Sequence, residues 1–216
     1  MTNSHKMSAV FIGGLLLVAL VMFLSSLGRA AGPAQTNLRN GDIIFQSLNS
    51  TSGEAIRLAT DSRFSHCGIL FNQNNAWFVY EAVGPVKLTP LQEWINRGID
   101  REFEIKRLRD ADQLLTDATL NKMMTVGRQL KGKDYDPQFQ WSDARMYCSE
   151  LVWKVYQRGA GIMLGNLRPL RDYHLDNHKV GEALQLRYGD NPPWEEMMIA
   201  PQTIYDCDAL ETVAKS

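Results

Sequence analysis

Three side chains far apart in the chain could combine their chemistry: the thiol of Cys148, the imidazole of His66 and the carboxylate of Glu81. A deprotonated cysteine is a nucleophile. Imidazole titrates near neutrality and can take and return the proton, while a carboxylate on its far nitrogen fixes the tautomer and stabilises the imidazolium. Cys148 lies in Arg145-Met146-Tyr147-Cys148-Ser149-Glu150-Leu151-Val152-Trp153-Lys154-Val155-Tyr156, with Leu151, Val152 and Val155 at offsets of three, four and seven from the sulfur. That spacing predicts a helix whose inward stripe begins at the thiol. In a first helical turn the sulfur feels the positive end of the helix dipole and unpaired N–H groups, which favour thiolate and can hold an oxyanion. Ser142 or Asp143 is the expected cap and Gly159-Ala160-Gly161 the expected stop. The competing reading is a buried cysteine acting as a small hydrophobe, on a domain that binds rather than cleaves.

His66 and Glu81 fall in two strand-like runs, 65–71 and 77–83, joined through Asn72-Gln73-Asn74-Asn75-Ala76. A hairpin turn centred between Gln73 and Asn74 sets His66 opposite Glu81, Gly68 opposite Val79 and Leu70 opposite Trp77. A glutamate in phase with Trp77, Val79 and Val83 is costly to bury without a charge partner, and the pairing supplies His66. Gly68 leaves space beside the ring for another element. A slipped register would instead make Glu81 an ordinary surface residue.

The other elements must carry these strands and the helix. The run 41–46 reads as a first strand, followed by a short helix over 54–60 capped by Ser52. Residues 86–89 are extended, and Pro90 opens a helix through Trp94 and Ile95 to Gly98. Alternation over 103–108 predicts an edge strand, and a long amphipathic helix is expected from about 112 to 130, with Met123 and Met124 as core filler. Phe139 and Trp141 precede the nucleophile helix, and the tail holds one more helix near 180–187. His174 and His178, flanked by Asp172 and Asp176, compete as a metal pair. No third ligand is evident, so solvated histidines, no metal site and no cofactor are expected.

With 216 residues, 44% hydrophobic and 22% charged, the chain has the composition of one globular domain, and no internal repeat divides it. A net charge of -1 without a long basic run argues against nucleic acid as a partner. Residues 1–30 read as a signal peptide or membrane anchor: after Lys6 the stretch Met7 to Leu27 is uncharged and mostly apolar, and small residues follow from Gly28. The apolar stretch reaches the roughly 20 residues that span a bilayer, so an uncleaved anchor is the alternative to export and cleavage, and the one expected membrane contact. Either way the domain over 38–216 is expected outside the cytoplasm, in a periplasm or on the outer face of the membrane. Three cysteines, Cys67, Cys148 and Cys207, cannot form a disulfide framework; Cys67 and Cys207 are expected as separate buried thiols.

Five blocks taken together resemble a known family: Gly41-Asp42-Ile43-Ile44-Phe45-Gln46, Phe64-Ser65-His66-Cys67-Gly68, Val79-Tyr80-Glu81-Ala82-Val83-Gly84-Pro85-Val86, Lys131-Gly132-Lys133-Asp134-Tyr135-Asp136 and Tyr147-Cys148-Ser149-Glu150-Leu151-Val152. In this order they are similar to the YiiX-like group of permuted NlpC-type, papain-fold cysteine peptidases and amidases. The tail, with Tyr188-Gly189 and Pro201-Gln202, is similar too. The resemblance implies an α+β, circularly permuted papain-like fold, with an antiparallel sheet packed against helices that include the nucleophile helix. It implies Cys148, His66 and Glu81 as a catalytic triad, and Tyr135 and Tyr147 near a substrate cleft. Hydrolysis of amide bonds in peptides of the cell envelope is the expected activity, with acyl-amide or lipid substrates and acyl transfer as alternatives. Cys67 departs from the pattern, which has a small residue without a thiol there. As Cys67 lies on the sheet face opposite the base, it should leave the base undisturbed.

Overall fold

The computed structural model describes residues 37–216; the leader expected over 1–30 lies outside them. Among the described residues no helix is long and apolar enough to cross a membrane. Six strands pair antiparallel into one sheet: β1 (Ile43–Gln46), β2 (His66–Gln73), β3 (Ala76–Ala82), β4 (Val86–Pro90), β5 (Glu104–Leu108) and β8 (Leu210–Lys215), in spatial order β4-β3-β2-β1-β5-β8. The two-residue strands β6 (Arg168–Pro169) and β7 (Met197–Met198) pair separately. The helices are α1 (Thr51–Thr60), α2 (Leu91–Asn96), α3 (Ala111–Leu114), α4 (Asp117–Leu130), α5 (Cys148–Ala160), α6 (His178–Tyr188) and α7 (Pro201–Tyr205).

Because side chains alternate along a strand, the sheet has two buried faces. Ile44, Leu70, Val79 and Ile105 share one with Leu91, Trp94 and Ile95 of α2. Ile43, Phe45, Cys67, Ile69 and Tyr80 share the other with Leu151, Val152 and Val155 of α5. The apolar stripe of α5 is therefore what seats its first residue, Cys148, against the sheet. On its far side α5 meets α4 closely: a Cβ on Gly159 would stand 2.6 Å from the Met123 Cα, so only glycine fits there. Gly161 ends α5 in the left-handed conformation, φ 73°, as the sequence leads one to expect.

Three expectations need correction. Ser52 does not cap the first helix; α1 starts earlier, and Ser50 Oγ accepts from the Gly53 N–H at 3.0 Å. The single helix over 112–130 is two, α3 and α4. Thr116 is extended between them, and its Oγ1 accepts from the Thr119 N–H at 3.3 Å, so a new N-terminus outcompetes a continuous helix. The run 103–108 is not at the sheet edge, since β8 from the tail pairs along β5. β8 escapes a reading by alternation because it is short and largely solvent-facing.

Candidate active site

The hairpin that carries the base and the acid turns at Asn74-Asn75, whose φ values of 51° and 62° are in the left-handed region that asparagine tolerates. The turn is thus centred one residue later than expected, and Leu70 faces Val79 instead of Trp77. Direct opposition of His66 and Glu81 is lost. A slip of two positions preserves the face of every side chain, so both remain on the α2 side of the sheet. Continued to Gly68, the register brings Glu81 alongside: a Cβ on Gly68 would lie 3.4 Å from Glu81 Cβ and 2.4 Å from Val79 Cγ1. Contrary to expectation, Gly68 leaves no room for a further element; it lets the carboxylate cross diagonally to the ring, with His66 Nε2 2.6 Å from Glu81 Oε2.

Glu81 is fully buried and its other oxygen is equally committed. Thr89 Oγ1 on β4 donates to Oε1 at 2.6 Å, and Arg97 Nη2, just past α2, does so at 2.5 Å. Burial pushes the Glu81 carboxyl up, but His66, Thr89 and Arg97 outweigh it and hold the group below its usual range, ionised. The Trp94 ring stacks on His66 with centroids 5.8 Å apart. Burial alone would push the imidazole down; hydrogen bonding to Cys148 and Glu81, with their negative charge, raises it to about 9. Thr89, Arg97 and Trp94 carry no signal in the sequence, because their place depends on how β4 and α2 fold back over the hairpin.

Cys148 opens α5 directly after Tyr147, its N-cap. Neither Ser142 nor Asp143 caps the helix. The chain runs through bends over 141–145 to Met146, which bridges to Tyr135, so the helix begins too late for either to reach its first N–H groups. They brace it from the side instead: Glu150 accepts from the Tyr147 N–H at 3.3 Å, from the Ser142 N–H at 3.2 Å and from Lys154 Nζ at 2.7 Å. Lys154 Nζ also donates to Ser142 O at 2.6 Å and to Asp143 Oδ1 at 2.8 Å. This buried network fixes the turn that presents the sulfur.

Interaction with the Cys67 thiol, with His66 and with the Cys67 backbone N–H outweighs burial and holds the Cys148 thiol well below its ordinary range. A cysteine thiol held low, an imidazole held high and a buried carboxylate are the groups that nucleophilic attack on an acyl carbon requires. Cys67 is on the face opposite His66, but that is the face on which α5 packs, so it shares a buried cluster with Cys148, which helps to push its thiol up. Cys67 and Cys207 are free, as is Cys148; Cys67 is buried and Cys207 half-buried.

Cys148 lies at the wall of a half-open cleft between α1, α6 and the start of α5. Tyr135 and Tyr147 both line it. Burial keeps both phenols protonated, and Tyr147 Oη accepts from the Ile199 N–H at 3.2 Å. Phe139 packs on Tyr147 at 5.2 Å, and the Arg187 guanidinium lies 4.1 Å above the Phe139 ring. Ile56, Leu170, Leu184 and Met198 complete a wall that is overwhelmingly apolar. These residues come from segments far apart in the sequence, and no local pattern in them announces a cleft.

Among the described residues no group of three or more His, Cys, Asp or Glu side chains is placed to hold a metal ion. His178 opens α6 on the surface near Glu182, at 3.7 Å, while residue 174 precedes the helix, so the two histidines do not share a helical face.

The model of the family described as permuted papain-like amidase enzyme, YaeF/YiiX, C92 family, matches residues 37–214. The chain is 42% identical over 177 residues to the uncharacterized protein YiiX of Escherichia coli strain K12, covering 82% of this chain and 86% of that protein. Its fold is similar to a crystal structure described as metalloprotein yiiX from Escherichia coli O157:H7, with TM-score 0.79 and 43% identity over 82% of this chain and 97% of that one. The term metalloprotein belongs to that relative. With an antiparallel sheet, flanking helices and a family match over nearly all the described residues, the chain belongs to the permuted papain-like amidases.

Proposed function

We propose that this chain is an exported cysteine amidase in which Cys148, His66 and Glu81 act as a triad through an acyl-enzyme. The observation that supports the reading is the buried pair of His66 and Glu81, 2.6 Å apart, with Cys148 near enough to raise the imidazole. The Cys148 thiolate attacks the amide carbonyl, and the N–H groups of the first turn of α5 face the developing oxyanion. Imidazolium His66 then protonates the leaving amine. Water, deprotonated by the now neutral imidazole, releases the acid and restores the thiolate. Glu81 keeps the ring in one tautomer and balances its charge throughout.

Export alone suggests envelope peptides as substrates, but the cleft favours a different acyl side. Peptide stems carry several charges, whereas the cleft beside Cys148 is walled by Ile56, Leu184, Met198 and aromatic rings, with Arg187 as its lysine- or arginine-type lining residue. An acyl-amide with an apolar chain matches this wall, each buried methylene contributing about 0.8 kcal/mol. Incubating the protein and Cys148→Ala with N-acyl amides of increasing chain length and with stem peptides tests both points. Cleavage that depends on Cys148, with kcat/KM rising about threefold or more per methylene until the cleft is filled, is the expected result. Turnover retained in Cys148→Ala would remove the mechanism; cleavage of stem peptides without acyl-amides would return the substrate to the envelope peptide.

A further inference from the structure

We infer that Cys148 and Cys67 form an oxidative modification site, in which a peroxide converts the nucleophile to a disulfide with the thiol behind it. The strand register carries the argument. Phe45 pairs with Cys67 and Gln46 with His66, so the two neighbours on β2 point to opposite faces of the sheet. His66 faces α2; Cys67 faces α5, fully buried in the same apolar cluster as Cys148, Leu151 and Val155. Helix α5 packs its inward stripe of Leu151, Val152 and Val155 into the cluster that holds Cys67, and Cys148 begins that stripe, close enough for the Cys67 S–H and backbone N–H to lower its thiol. The disulfide requires the two Cα atoms to stand within the roughly 4.4–6.8 Å span of protein disulfides.

Access and reactivity divide between the two thiols. Cys148 lines the half-open cleft and its thiol is held well below its ordinary range, so it is the sulfur an oxidant meets. Cys67 lies behind it, and burial, with the negative charge of Cys148, keeps its proton on. The thiolate attacks one peroxide oxygen; the O–O bond breaks, and the departing oxygen takes a proton from imidazolium His66 to leave as water. This yields the Cys148 sulfenic acid. Cys67 sulfur then attacks the sulfenic sulfur, the S–O bond breaks, and hydroxide leaves with the Cys67 proton as a second water. Two thiols are oxidised by two electrons and one peroxide is reduced. The disulfide removes the nucleophile from the cleft yet spares it the irreversible sulfinic and sulfonic steps.

The inference rests on the thiolate character of Cys148 and is read without any substrate, so its failure is distinct from failure of the amidase reading. The full chain is treated with a small excess of hydrogen peroxide, alkylated, and mapped by mass spectrometry with and without dithiothreitol. The expected result is a linked Cys67–Cys148 peptide, two hydrogens lighter than the pair of thiol peptides, and return of Cys148 alkylation to its starting level after reduction. Cys67→Ala, with Cys67→Ser as a second variant should alanine not fold, is expected to accumulate Cys148 sulfinic acid that dithiothreitol does not recover. Absence of the linked peptide in the parent while Cys148 oxidises, or equal recovery of Cys148 in the folded Cys67 variant, overturns the site.

Discussion

Two carboxylates, Glu81 and Glu150, are both completely buried, and the site treats them in opposite ways. Glu81 sits between His66 and Arg97 and takes a further hydrogen bond from Thr89, so its charge is balanced twice and its carboxyl is held below the usual range. Burial dominates at Glu150 and raises its carboxyl to about 7, because Lys154, its one cationic partner, also serves Asp143. Burial is the same and the company differs. Glu81 is arranged to stay charged beside the imidazole, whereas Glu150 tethers the turn before α5 to its first residues, a task that its hydrogen bonds perform in either charge state. A buried acid near a nucleophile is therefore assigned to chemistry or to scaffolding by what shares its charge.

The comparison breaks most visibly under alanine. Glu81→Ala leaves Arg97 without its carboxylate and Glu150→Ala leaves Lys154 buried without its main partner, each expected to cost about 3–5 kcal/mol in denaturant unfolding. The two part company in the molecules that remain folded. Glu81→Ala should lower Cys148-dependent turnover by on the order of 10³-fold or more, while Glu150→Ala lowers it less than tenfold.

Glutamine variants sharpen the contrast through pH. Glu150 is held above its ordinary 4.5, so its contribution to stability is full below 4.5 and is lost as pH rises through about 7. Glu81 is held below 4.5, so its contribution is present above 4.5 and is lost as pH falls through its depressed value. Relative to Glu150→Gln, the parent should therefore lose on the order of 3 kcal/mol between pH 4.5 and 8. Relative to Glu81→Gln it should show no such loss across that window, as urea unfolding at several pH values will show.

Gly68→Ala tests the diagonal route from Glu81 to His66. Its Cβ would meet Val79 Cγ1 at 2.4 Å and Tyr80 O at 2.8 Å, so a cost of about 1–3 kcal/mol is expected, with turnover reduced further than stability explains. Thr89→Val is the mildest probe. It removes one of the three side-chain donors to Glu81 and is expected to cost about 1 kcal/mol by thermal melting, with the His66 imidazole titrating below its parent value by NMR.

Much of this arrangement was legible in the sequence, for reasons that also mark where reading stopped. Spacing around Cys148 gave its helix and inward stripe, and period-two alternation put His66 and Glu81 on one face. The turn was centred at Gln73 and Asn74 rather than at Asn74 and Asn75, yet the conclusion survived because a two-residue slip leaves faces unchanged. Alternation also put Cys67 opposite His66 but could not say which layer covers that face, so its contact with Cys148 went unseen. Thr89, Arg97 and the cleft wall were invisible for the same reason: they meet the site only through the packing of β4, α1, α2 and α6.

The most direct test of the central claim, that Cys148 is a thiolate paired with His66, is the rate of Cys148 alkylation by iodoacetamide against pH, read by peptide mapping in the parent and in His66→Ala. The account predicts parent labelling that persists well below the roughly 8.5 of a free thiol and shifts upward toward it in the variant. Labelling of Cys148 that rises only near the free-thiol range, and identically in both proteins, would contradict it.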